Sequence, residues 1–335
     1  MTETVAVIGD GAMGTLSAIM LAENGHRVRL WSAFPASANE MSRTRENRHF
    51  LPGHVLGEGI LVTADDAEAL AGADLSISAV PTQFMRGVWQ RLRAIVPSDL
   101  PICSVAKGIE NHTLLTPTRV LRDVLDAGET RRPIAALSGP SIAPEVARKL
   151  PATVTVASDD AAFARRVQRM FNRPYFRVYT NPDLIGVEIA GATKNVIAIA
   201  AGILDGLGTG DNAKAALLTR GLSEITRLGV ALGARAETFA GLAGFGDLVT
   251  TCISPIGRNR SFGEAVGRGK TVADALGATE SVVEGVATTA SVVELAAKVG
   301  VDMPITRAVH AVLLGHRNPA QAIAELMARP LKQED

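Results

Sequence analysis

Residues Thr4–Gly25, with the sequence TVAVIGDGAMGTLSAIMLAENG, carry the clearest indication of the fold. A β-branched run leads directly into a GxGxxG motif formed by Gly9, Gly11 and Gly14, and an Ala-rich helical stretch then extends to Asn24. These glycines permit a tight turn, close approach of the backbone to a pyrophosphate and close helix–strand packing, while the helix N-terminus supplies N–H groups. Glycine-rich turns also occur without a ligand, but this strand–turn–helix context favours a dinucleotide site.

Apolar runs of strand length recur along the first half of the chain and alternate with amphipathic stretches. The runs are Arg27–Trp31, Asp74–Val80, Pro101–Ala106, Pro133–Leu137 and Ala152–Ala157. The amphipathic stretches are Gln83–Ile95, Thr116–Leu125 and Asp160–Phe171. Strands alternating with helices predict an α/β fold with a doubly wound parallel sheet, and the continuous apolar runs fit strands buried on both faces.

After Asn181–Pro182 the pattern becomes helical throughout, with glycine-rich breaks between Ala/Leu/Val-rich segments. The predicted helices are Asp183–Leu204, Ala213–Leu232, Thr271–Leu276, Thr288–Val299 and Pro304–Leu314. We therefore expect residues 1–180 to form a Rossmann-type dinucleotide-binding domain and residues 181–335 to form an all-helical substrate and catalytic domain. The length of 335 residues agrees with two domains at roughly 150 residues each.

The composition excludes several classes of protein. With 34 basic and 34 acidic residues the formal charge is zero, which argues against a nucleic-acid wrapper or a protein held to membranes by charge. Two cysteines without a CxxC pair, and six histidines without an HExxH pair, predict neither a disulfide framework nor a metal site. The central apolar stretch Val196–Leu204 is half the ~18 residues of a membrane span, and no leader peptide is evident, so we expect a soluble cytoplasmic protein.

Two polar side chains follow predicted strands in the first half. Lys107 lies just beyond a buried strand, where ligands of parallel sheets bind, although a solvated loop lysine explains it equally well. Ser141 is predicted to cap a following helix, with Pro144 in its first turn and Glu145 near the capping-box position. A capping role for Ser141 does not exclude a contact with a ligand.

Lys194 stands within an otherwise apolar helical segment. By helical spacing it shares a face with Val187, Gly191 and Ala198, and the small residues leave space for a ligand. Burial of an ammonium group is costly and lowers its pKa towards the range useful for a general base. The alternative is a lysine that snorkels to solvent at the helix edge.

A glycine-rich segment ending in Asp247 precedes a basic segment that contains Arg258 and Asn259. An arginine fork suits a phosphate or a carboxylate, and the asparagine adds an amide. The alternatives are a helix cap for Asp247 and a solvated basic loop for Arg258 and Arg260. The spacing alone gives no functional interpretation of Glu284.

Taken in order, these segments resemble the bacterial-type NAD(P)-dependent glycerol-3-phosphate dehydrogenase family. The resemblance runs from about Val5 to Ala290, and its specificity comes from the whole series of motifs. After the GxGxxG turn, the motifs are LPG at Leu51–Gly53, AKGIE at Ala106–Glu110, GPS at Gly139–Ser141, GATKN at Gly191–Asn195, GLAGFGDL at Gly241–Leu248, RNRSFG at Arg258–Gly263 and VVEGV at Val282–Val286.

The resemblance implies roles for individual residues. Lys194 would be the proton acceptor when the C2 hydroxyl of glycerol 3-phosphate is oxidised, and the proton donor when dihydroxyacetone phosphate is reduced. The implied substrate-binding residues are Lys107, Gly139, Ser141, Lys194, Asp247, Arg258 and Asn259. The implied cofactor-binding residues are Gly9, Gly11, Ala12, Met13, Gly14, Lys107, Ala143, Arg258, Val282 and Glu284.

The chain departs from the family pattern at a few positions. Met13 replaces an aromatic residue in the glycine turn, Ala33 and Phe34 stand where basic residues often follow the second strand, and Phe50 replaces a tyrosine. These changes lie on the coenzyme side. Gly257 replaces a serine on the substrate side and so removes one hydroxyl. None of them removes the lysine that the resemblance makes catalytic.

The coenzyme preference is predicted from the residues after the second strand. NAD-binding proteins usually carry an acid about 20 residues beyond the glycine motif, but here no acid occurs before Glu40, and Ser32 and Ser37 offer only neutral hydrogen bonds. We therefore expect both coenzymes to work, with NADPH favoured modestly. The nearest arginines lie further along the chain, at Arg43, Arg45 and Arg48.

Two other functions share parts of this pattern. A β-hydroxyacid or 6-phosphogluconate type dehydrogenase also combines a Rossmann half, a helical half and a helix lysine, but its lysine and asparagine resemble KxxxN spacing, whereas Lys194 and Asn195 are adjacent. A non-catalytic dinucleotide-sensing module is the second alternative, although such a sensor need not keep a proton acceptor. The Ala- and Leu-rich helical half is also compatible with a homodimer.

Overall fold

The computed structural model describes residues 2–126, 131–278, 282–331 and 333. The chain divides into two compact units. The first comprises Met1–Lys107 with Leu115–Glu188, and the second comprises Gly108–Leu114 with Ile189–Asp335.

An eight-stranded sheet forms the centre of the first unit. Its strands are β1 (Thr4–Ile8), β2 (Arg27–Trp31), β3 (Ile60–Thr63), β4 (Leu75–Ser78), β5 (Ile102–Ser104), β6 (Ile134–Ser138), β7 (Ala152–Ser158) and β8 (Phe176–Asn181). Their order is β3-β2-β1-β4-β5-β6-β7-β8, which is the doubly wound arrangement that the sequence predicts. The predicted fold class is confirmed.

One pairing differs from the predicted all-parallel sheet, because β6 and β7 are antiparallel. The connection between them contains only a five-residue helix, α6 (Ala143–Ala147). A helix of this length rises only about 7 Å, whereas a five-residue strand spans about 17 Å. The connection therefore does not carry the chain back along β6, and β7 runs in the opposite direction.

Helices cover both faces of the sheet. Side chains of β1 alternate between the two apolar clusters, with Val5 and Val7 in one and Ala6 and Ile8 in the other, and all four are fully buried. Burial on both faces explains why this strand is continuously apolar. The remaining helices of this unit are α1 (Ala12–Glu23), α2 (Pro35–Thr44), α3 (Asp66–Leu70), α4 (Thr82–Leu92), α5 (Pro117–Leu125) and α7 (Ala161–Phe171).

After β8 the described part of the chain contains helices and no strand, as the sequence predicts. The α-helices are α8 (Leu184–Leu207), α9 (Asp211–Ala231), α10 (Ala236–Ala240), α11 (Asp247–Ile253), α12 (Arg258–Gly267), α13 (Val272–Gly277), α14 (Glu284–Lys298), α15 (Pro304–Leu313) and α16 (Pro319–Met327). By length and composition α8 could cross a membrane, but 89% of its most apolar window is buried inside the protein, which is typical of a core helix.

Helices α8 and α12 pack backbone against backbone. A Cβ atom at Gly202 of α8 would overlap the carbonyl oxygen of Arg260, and one at Gly263 of α12 would overlap that of Ile199. Glycine at these positions brings the two helices within a distance that any larger residue would prevent. This close packing holds the start of α12 in place relative to α8.

Glu224 is a buried carboxyl group on α9 that faces the N-terminus of α15. It accepts hydrogen bonds from the backbone N–H of Ile305 at 2.7 Å and from that of Thr306 at 3.3 Å. Burial raises the pKa of Glu224 from 4.5 to about 7 and outweighs these hydrogen bonds, which lower the pKa. The folded protein therefore keeps a proton on Glu224 in a pH range in which the unfolded chain has lost it.

Because the folded-state pKa is raised, the contribution of Glu224 to stability is lost as the pH rises from 4.5 to about 7. We expect this group to lower the free energy of unfolding by about 3 kcal/mol across that window. Glu224→Gln, which stays neutral, should lack this part of the pH dependence. Urea unfolding of both proteins at pH 5 and pH 8 measures it, and parallel stability–pH curves would contradict the assignment.

Candidate active site

The glycine turn between β1 and α1 is shaped by close backbone contacts. Gly9 has φ +109°, and a Cβ atom there would lie 2.9 Å from the backbone of Ala79. A Cβ at Gly14 would overlap the carbonyl oxygen of Gly9, whereas a Cβ at Gly11 would meet nothing within 4 Å. The turn is therefore closely packed against other backbone atoms at Gly9 and Gly14, whereas the space next to Gly11 is open.

The start of α1 offers backbone donors that no side chain occupies. Its N-cap is Gly11, which makes no side-chain cap hydrogen bond, and its first turn contains no acidic residue. Ala12 and Met13, two of the predicted cofactor-binding residues, form this first turn. Free N–H groups and the positive end of the helix dipole suit a pyrophosphate. The residues present thus fit a dinucleotide.

A carboxylate inside the glycine motif lies at the end of β2. Asp10 is 7% exposed, and its Oδ2 accepts hydrogen bonds from the hydroxyls of Ser32, at 2.8 Å, and Ser37, at 2.9 Å. From the sequence, Ser32 and Ser37 are expected to offer neutral hydrogen bonds to the coenzyme, in a region without an acid. That premise is wrong, because the fold brings Asp10 to the end of the second strand. The sequence does contain a signal for this acid, because Asp10 occupies the first variable position of the GxGxxG motif.

Three predicted substrate-binding residues of the first unit meet at one carbonyl group. The carbonyl oxygen of Gly139 accepts hydrogen bonds from Lys107 Nζ at 3.1 Å and from Ser141 Oγ at 3.0 Å. Gly139 has φ +138°, and a Cβ there would lie 2.9 Å from Cα of Val154, so glycine is required. Lys107 therefore donates a hydrogen bond to the loop after β6, which differs from the solvated loop lysine of the alternative interpretation.

The predicted capping role of Ser141 is wrong. The N-cap of α6 is Ile142, and no side chain caps the helix. Ser141 lies one residue earlier, and its hydroxyl instead donates a hydrogen bond to the carbonyl oxygen of Gly139. Ala143, a predicted cofactor-binding residue, is the first residue of α6 and is buried.

Lys194 is buried in the second unit, with only 6% of its surface exposed. Its Nζ donates to Asp247 Oδ1 at 2.5 Å and to Thr251 Oγ1 at 2.7 Å. The snorkelling alternative is therefore wrong, because the ammonium group ends on a buried carboxylate. Thr251 is not among the residues predicted from the sequence, although its position four residues after Asp247 places both on one face of α11.

The position of Asp247 follows from an unusual turn. Residues Leu242–Gly246 form a π-helix that leads directly into α11, a feature frequently found at functional sites. A Cβ at Gly244 would overlap the carbonyl group of Phe239, which explains the glycine there. Asp247 is the first residue of α11, whose N-cap makes no side-chain hydrogen bond. Its carboxylate binds Lys194, so the alternative of a helix cap is wrong.

The start of α12 carries the remaining polar residues. Arg258 is exposed and donates from Nη1 to the carbonyl oxygen of Val282 at 3.1 Å. Asn259 is buried, and its Oδ1 accepts from the backbone N–H of Gly285 at 3.0 Å. Glu284 begins α14 beside these contacts. The two contacts join residues 24 and 26 positions apart, and they bring the predicted Arg258 and Asn259 to the segment that contains the predicted Val282.

The N-terminus of α12 also lacks a capping side chain among the described residues, because its N-cap is Gly257. An arginine at the first position of a ten-residue helix with an uncapped N-terminus is suited to an anion. No group of three or more metal-ligating side chains occurs among residues 2–126, 131–278, 282–331 and 333.

A Rossmann-type sheet with an open glycine turn, together with a helical unit that buries a lysine–aspartate pair, defines the class of NAD(P)-dependent dehydrogenases. The family models agree with this class. The model described as NAD-dependent glycerol-3-phosphate dehydrogenase N-terminus matches residues 4–164, and the model of the C-terminus matches residues 183–324.

Relatives and solved structures point to the same family. The glycerol-3-phosphate dehydrogenase [NAD(P)+] of Geobacter sp. (strain M21) is 50% identical over 334 residues, covering 100% of this chain and 99% of the relative. That of Geobacillus thermodenitrificans is 49% identical, covering 99% and 96%. The crystal structure of glycerol-3-phosphate dehydrogenase from Coxiella burnetii is 38% identical, with a TM-score of 0.94 over 98% of this chain and 99% of that chain. The chain belongs to the NAD-dependent glycerol-3-phosphate dehydrogenase family, which confirms the resemblance.

Proposed function

We propose that this chain interconverts dihydroxyacetone phosphate and sn-glycerol 3-phosphate with NAD(P)H, and that it supplies glycerol 3-phosphate for phospholipid synthesis in the cytoplasm. The observation that carries the proposal is the buried ammonium group of Lys194, held between Asp247 and Thr251. A proton donor of this kind is what the reduction of a ketone to an alcohol requires.

The domain roles are part of the proposal. Residues 1–180 bind the dinucleotide, and residues 181–335 bind the substrate and transfer the proton. When bound, the dinucleotide supplies the hydride for reduction and accepts it in oxidation. The chain holds its pyrophosphate with the backbone of the glycine turn. The cofactor-binding residues that we assign are Gly9, Gly11, Ala12, Met13, Gly14, Lys107, Ala143, Arg258, Val282 and Glu284.

Lys194 moves the proton. In the reducing direction its ammonium group gives a proton to the oxygen on C2 of the substrate, and in the oxidising direction its amine takes the proton from the C2 hydroxyl. Asp247 stabilises the ammonium form by direct ion pairing. Thr251 accepts a hydrogen bond from Nζ while its own hydroxyl donates to the carbonyl oxygen of Asp247 at 2.6 Å. The direction of Nζ is thereby restricted, as proton transfer needs.

The phosphate group of the substrate is assigned to the start of α12. Arg258 supplies a guanidinium fork and the uncapped helix N-terminus supplies backbone N–H groups. Asn259 uses Oδ1 to hold Gly285, which leaves its amide nitrogen as the side-chain donor for the substrate. The full set of substrate-binding residues that we assign is Lys107, Gly139, Ser141, Lys194, Asp247, Arg258 and Asn259.

Arg258→Ala is expected to raise KM for dihydroxyacetone phosphate about tenfold or more, because one hydrogen bond to a charged group contributes about 1.5–3 kcal/mol. The KM for the coenzyme should rise too, because Arg258 is also assigned to cofactor binding. Arg268→Ala is the matched control, since Arg268 is an exposed arginine at the end of the same helix that pairs with Glu264. Steady-state kinetics with both substrates varied measure the effect. An unchanged KM for dihydroxyacetone phosphate would show that Arg258 is only a surface residue.

The proposed activity is tested by the loss of NAD(P)H absorbance on addition of dihydroxyacetone phosphate, compared with unphosphorylated dihydroxyacetone and with small keto acids. We expect rapid loss with dihydroxyacetone phosphate alone. Preference for a keto acid would favour the β-hydroxyacid type of dehydrogenase. Tight coenzyme binding without turnover of any of these compounds would favour the sensing module. A homodimer stays a prediction, which the molar mass in solution tests.

A further inference from the structure

The side chain of Asp10 lies at the point where β1 and β2 end. The two strands are parallel neighbours, with Ile8 paired to Trp31, and the N–H of Gly9 donates to the carbonyl oxygen of Trp31 at 3.1 Å. This register places Asp10, the next residue after Gly9, beside Ser32, the first residue after β2. The hydrogen bond from Ser32 Oγ to Asp10 Oδ2 at 2.8 Å closes the pair.

Asp10 is held from several sides. Ser37, in the first turns of α2, donates a second hydrogen bond to Oδ2 at 2.9 Å. Asn47 Nδ2 donates to the carbonyl oxygen of Asp10 at 2.6 Å, and Thr15 Oγ1 donates to the same oxygen at 3.0 Å. Both backbone and side chain are therefore fixed. Within the described residues no hydrogen bond to Oδ1 is found, so one oxygen of a well-positioned carboxylate is left for a ligand.

The end of the second strand is where dinucleotide-binding folds distinguish the two coenzymes. A carboxylate there accepts a hydrogen bond from the ribose 2′-hydroxyl of NAD, and an arginine there accommodates the 2′-phosphate of NADP. Of the three arginines that follow β2, Arg43 is exposed in the last turn of α2, and Arg45 and Arg48 make contacts elsewhere. The guanidinium group of Arg45 donates to the carbonyl oxygens of Leu56 and Ile60, and that of Arg48 pairs with Glu46 at 3.2 Å.

We infer that Asp10 is a coenzyme-specificity residue that accepts a hydrogen bond from the ribose 2′-hydroxyl of NADH and repels the 2′-phosphate of NADPH. The inference rests on the proposed function, because it takes the glycine turn as the coenzyme site. It replaces the preference for NADPH expected from the sequence, whose premise was that no acid lies in this region. The acid is supplied by the glycine motif instead of by the second strand.

The expected result for the unaltered chain is a preference for NADH over NADPH of at least about tenfold in kcat/KM, which corresponds to ~1.4 kcal/mol. A carboxylate with little exposure, facing a doubly charged phosphate, is not screened as a surface charge is. We also expect NADH to have a lower dissociation constant than NADPH. Both constants are measured by nucleotide fluorescence without any substrate.

Asp10→Asn is the direct test, because it keeps the size of the side chain and an acceptor for the two serines while removing the charge. We expect it to tighten NADPH binding about tenfold or more and to weaken NADH binding several-fold. Glu40→Gln is the matched control. Glu40 is exposed, lies in α2 three residues after Ser37, and is the first acid in the chain after β2. Its removal should leave the ratio of the two dissociation constants within twofold of the starting value.

Ser37→Ala provides a second variant in case Asp10→Asn does not fold, as judged by its thermal melting. It removes one of the two hydroxyls that aim Oδ2 and leaves the carboxylate in place, so the NADH:NADPH preference should fall at least threefold. An unchanged ratio in the folded Asp10→Asn variant would overturn the inference, as would equal weakening of both coenzymes. If Asp10→Asn is unfolded, an unchanged ratio in Ser37→Ala would overturn it.

These outcomes are separable from failure of the proposed function. If dihydroxyacetone phosphate is reduced normally but the coenzyme ratio does not respond to Asp10, the specificity inference fails and the function stands. If neither coenzyme supports reduction of dihydroxyacetone phosphate, the function fails, and the ratio of dissociation constants still decides the role of Asp10.

Discussion

Lys194→Ala is expected to lower kcat for reduction of dihydroxyacetone phosphate by roughly 10²–10⁴, the range for loss of a positioned acid–base group. The physical reason is that the buried ammonium group is the proposed proton donor and that alanine offers no replacement. KM for the coenzyme should change little, because the glycine turn is untouched. Steady-state kinetics, with circular dichroism and Tm recorded on the same sample, provide the measurement.

Lys270→Ala is a suitable control for Lys194→Ala, because Lys270 is an exposed lysine after α12. It should retain full kcat. Added small primary amines should restore part of the activity of Lys194→Ala, since they can enter the space left by the side chain and carry the proton. Retention of more than about half of the original kcat by Lys194→Ala would exclude Lys194 as the acid–base group.

Asp247→Asn should have the next largest effect. It keeps the shape of the side chain but removes the negative partner of a buried ammonium group. The side chain of Lys194 is 7% exposed, and that of Asp247 is 2% exposed. Breaking a buried ion pair on one side costs about 3–5 kcal/mol of stability. Because Lys194 also loses its positioning partner, we expect kcat to fall by roughly 10–10² while KM for the coenzyme changes little.

Asp211→Asn is the matched control for Asp247→Asn, because Asp211 is also the first residue of a helix, α9, but is exposed. Its loss should cost only the 0.3–1 kcal/mol or so of an acid at a helix N-terminus. Urea unfolding and kcat are measured on both variants. Equal stability and equal kcat in the two variants would mean that the Lys194–Asp247 pair contributes no more than a surface charge.

The fold was largely predictable because strong local signals agree with the tertiary structure. The β1–turn–α1 unit and the long helix α8 have apolar patterns that burial explains. Strands β3 and β8 were missed for a physical reason. The apolar run of β3 is only three residues of a four-residue strand, which is a short signal, and β8 alternates buried and exposed residues at the sheet edge, so it shows no continuous apolar run.

Several short helices of the second unit were not predicted, although the six-residue α13 was. The π-helix Leu242–Gly246 is short and contains two glycines, and α11 is only seven residues long, so both give a weak local signal. Their shape depends on close packing, as the contact between Gly244 and Phe239 shows. Local propensity carries no information about such a contact.

The residue types of the candidate site were visible in the sequence, but their pairings were not. Lys194 and Asp247 are 53 positions apart, and nothing in their spacing indicates that they form an ion pair. Ser32 and Asp10 are 22 positions apart and meet only because β1 and β2 are parallel neighbours. Consequently the sequence identified the lysine correctly as a buried group but left the acid near the end of β2 unrecognised.

We propose that a hydride is transferred to C2 of dihydroxyacetone phosphate while Lys194 protonates the oxygen. The most direct test supplies NADH that carries deuterium at both C4 positions of the nicotinamide and analyses the product by mass spectrometry and NMR. We predict sn-glycerol 3-phosphate with one deuterium on C2, formed by the unaltered chain and strongly slowed in Lys194→Ala. Product without deuterium on C2, or coenzyme oxidation without formation of glycerol 3-phosphate, would contradict the account.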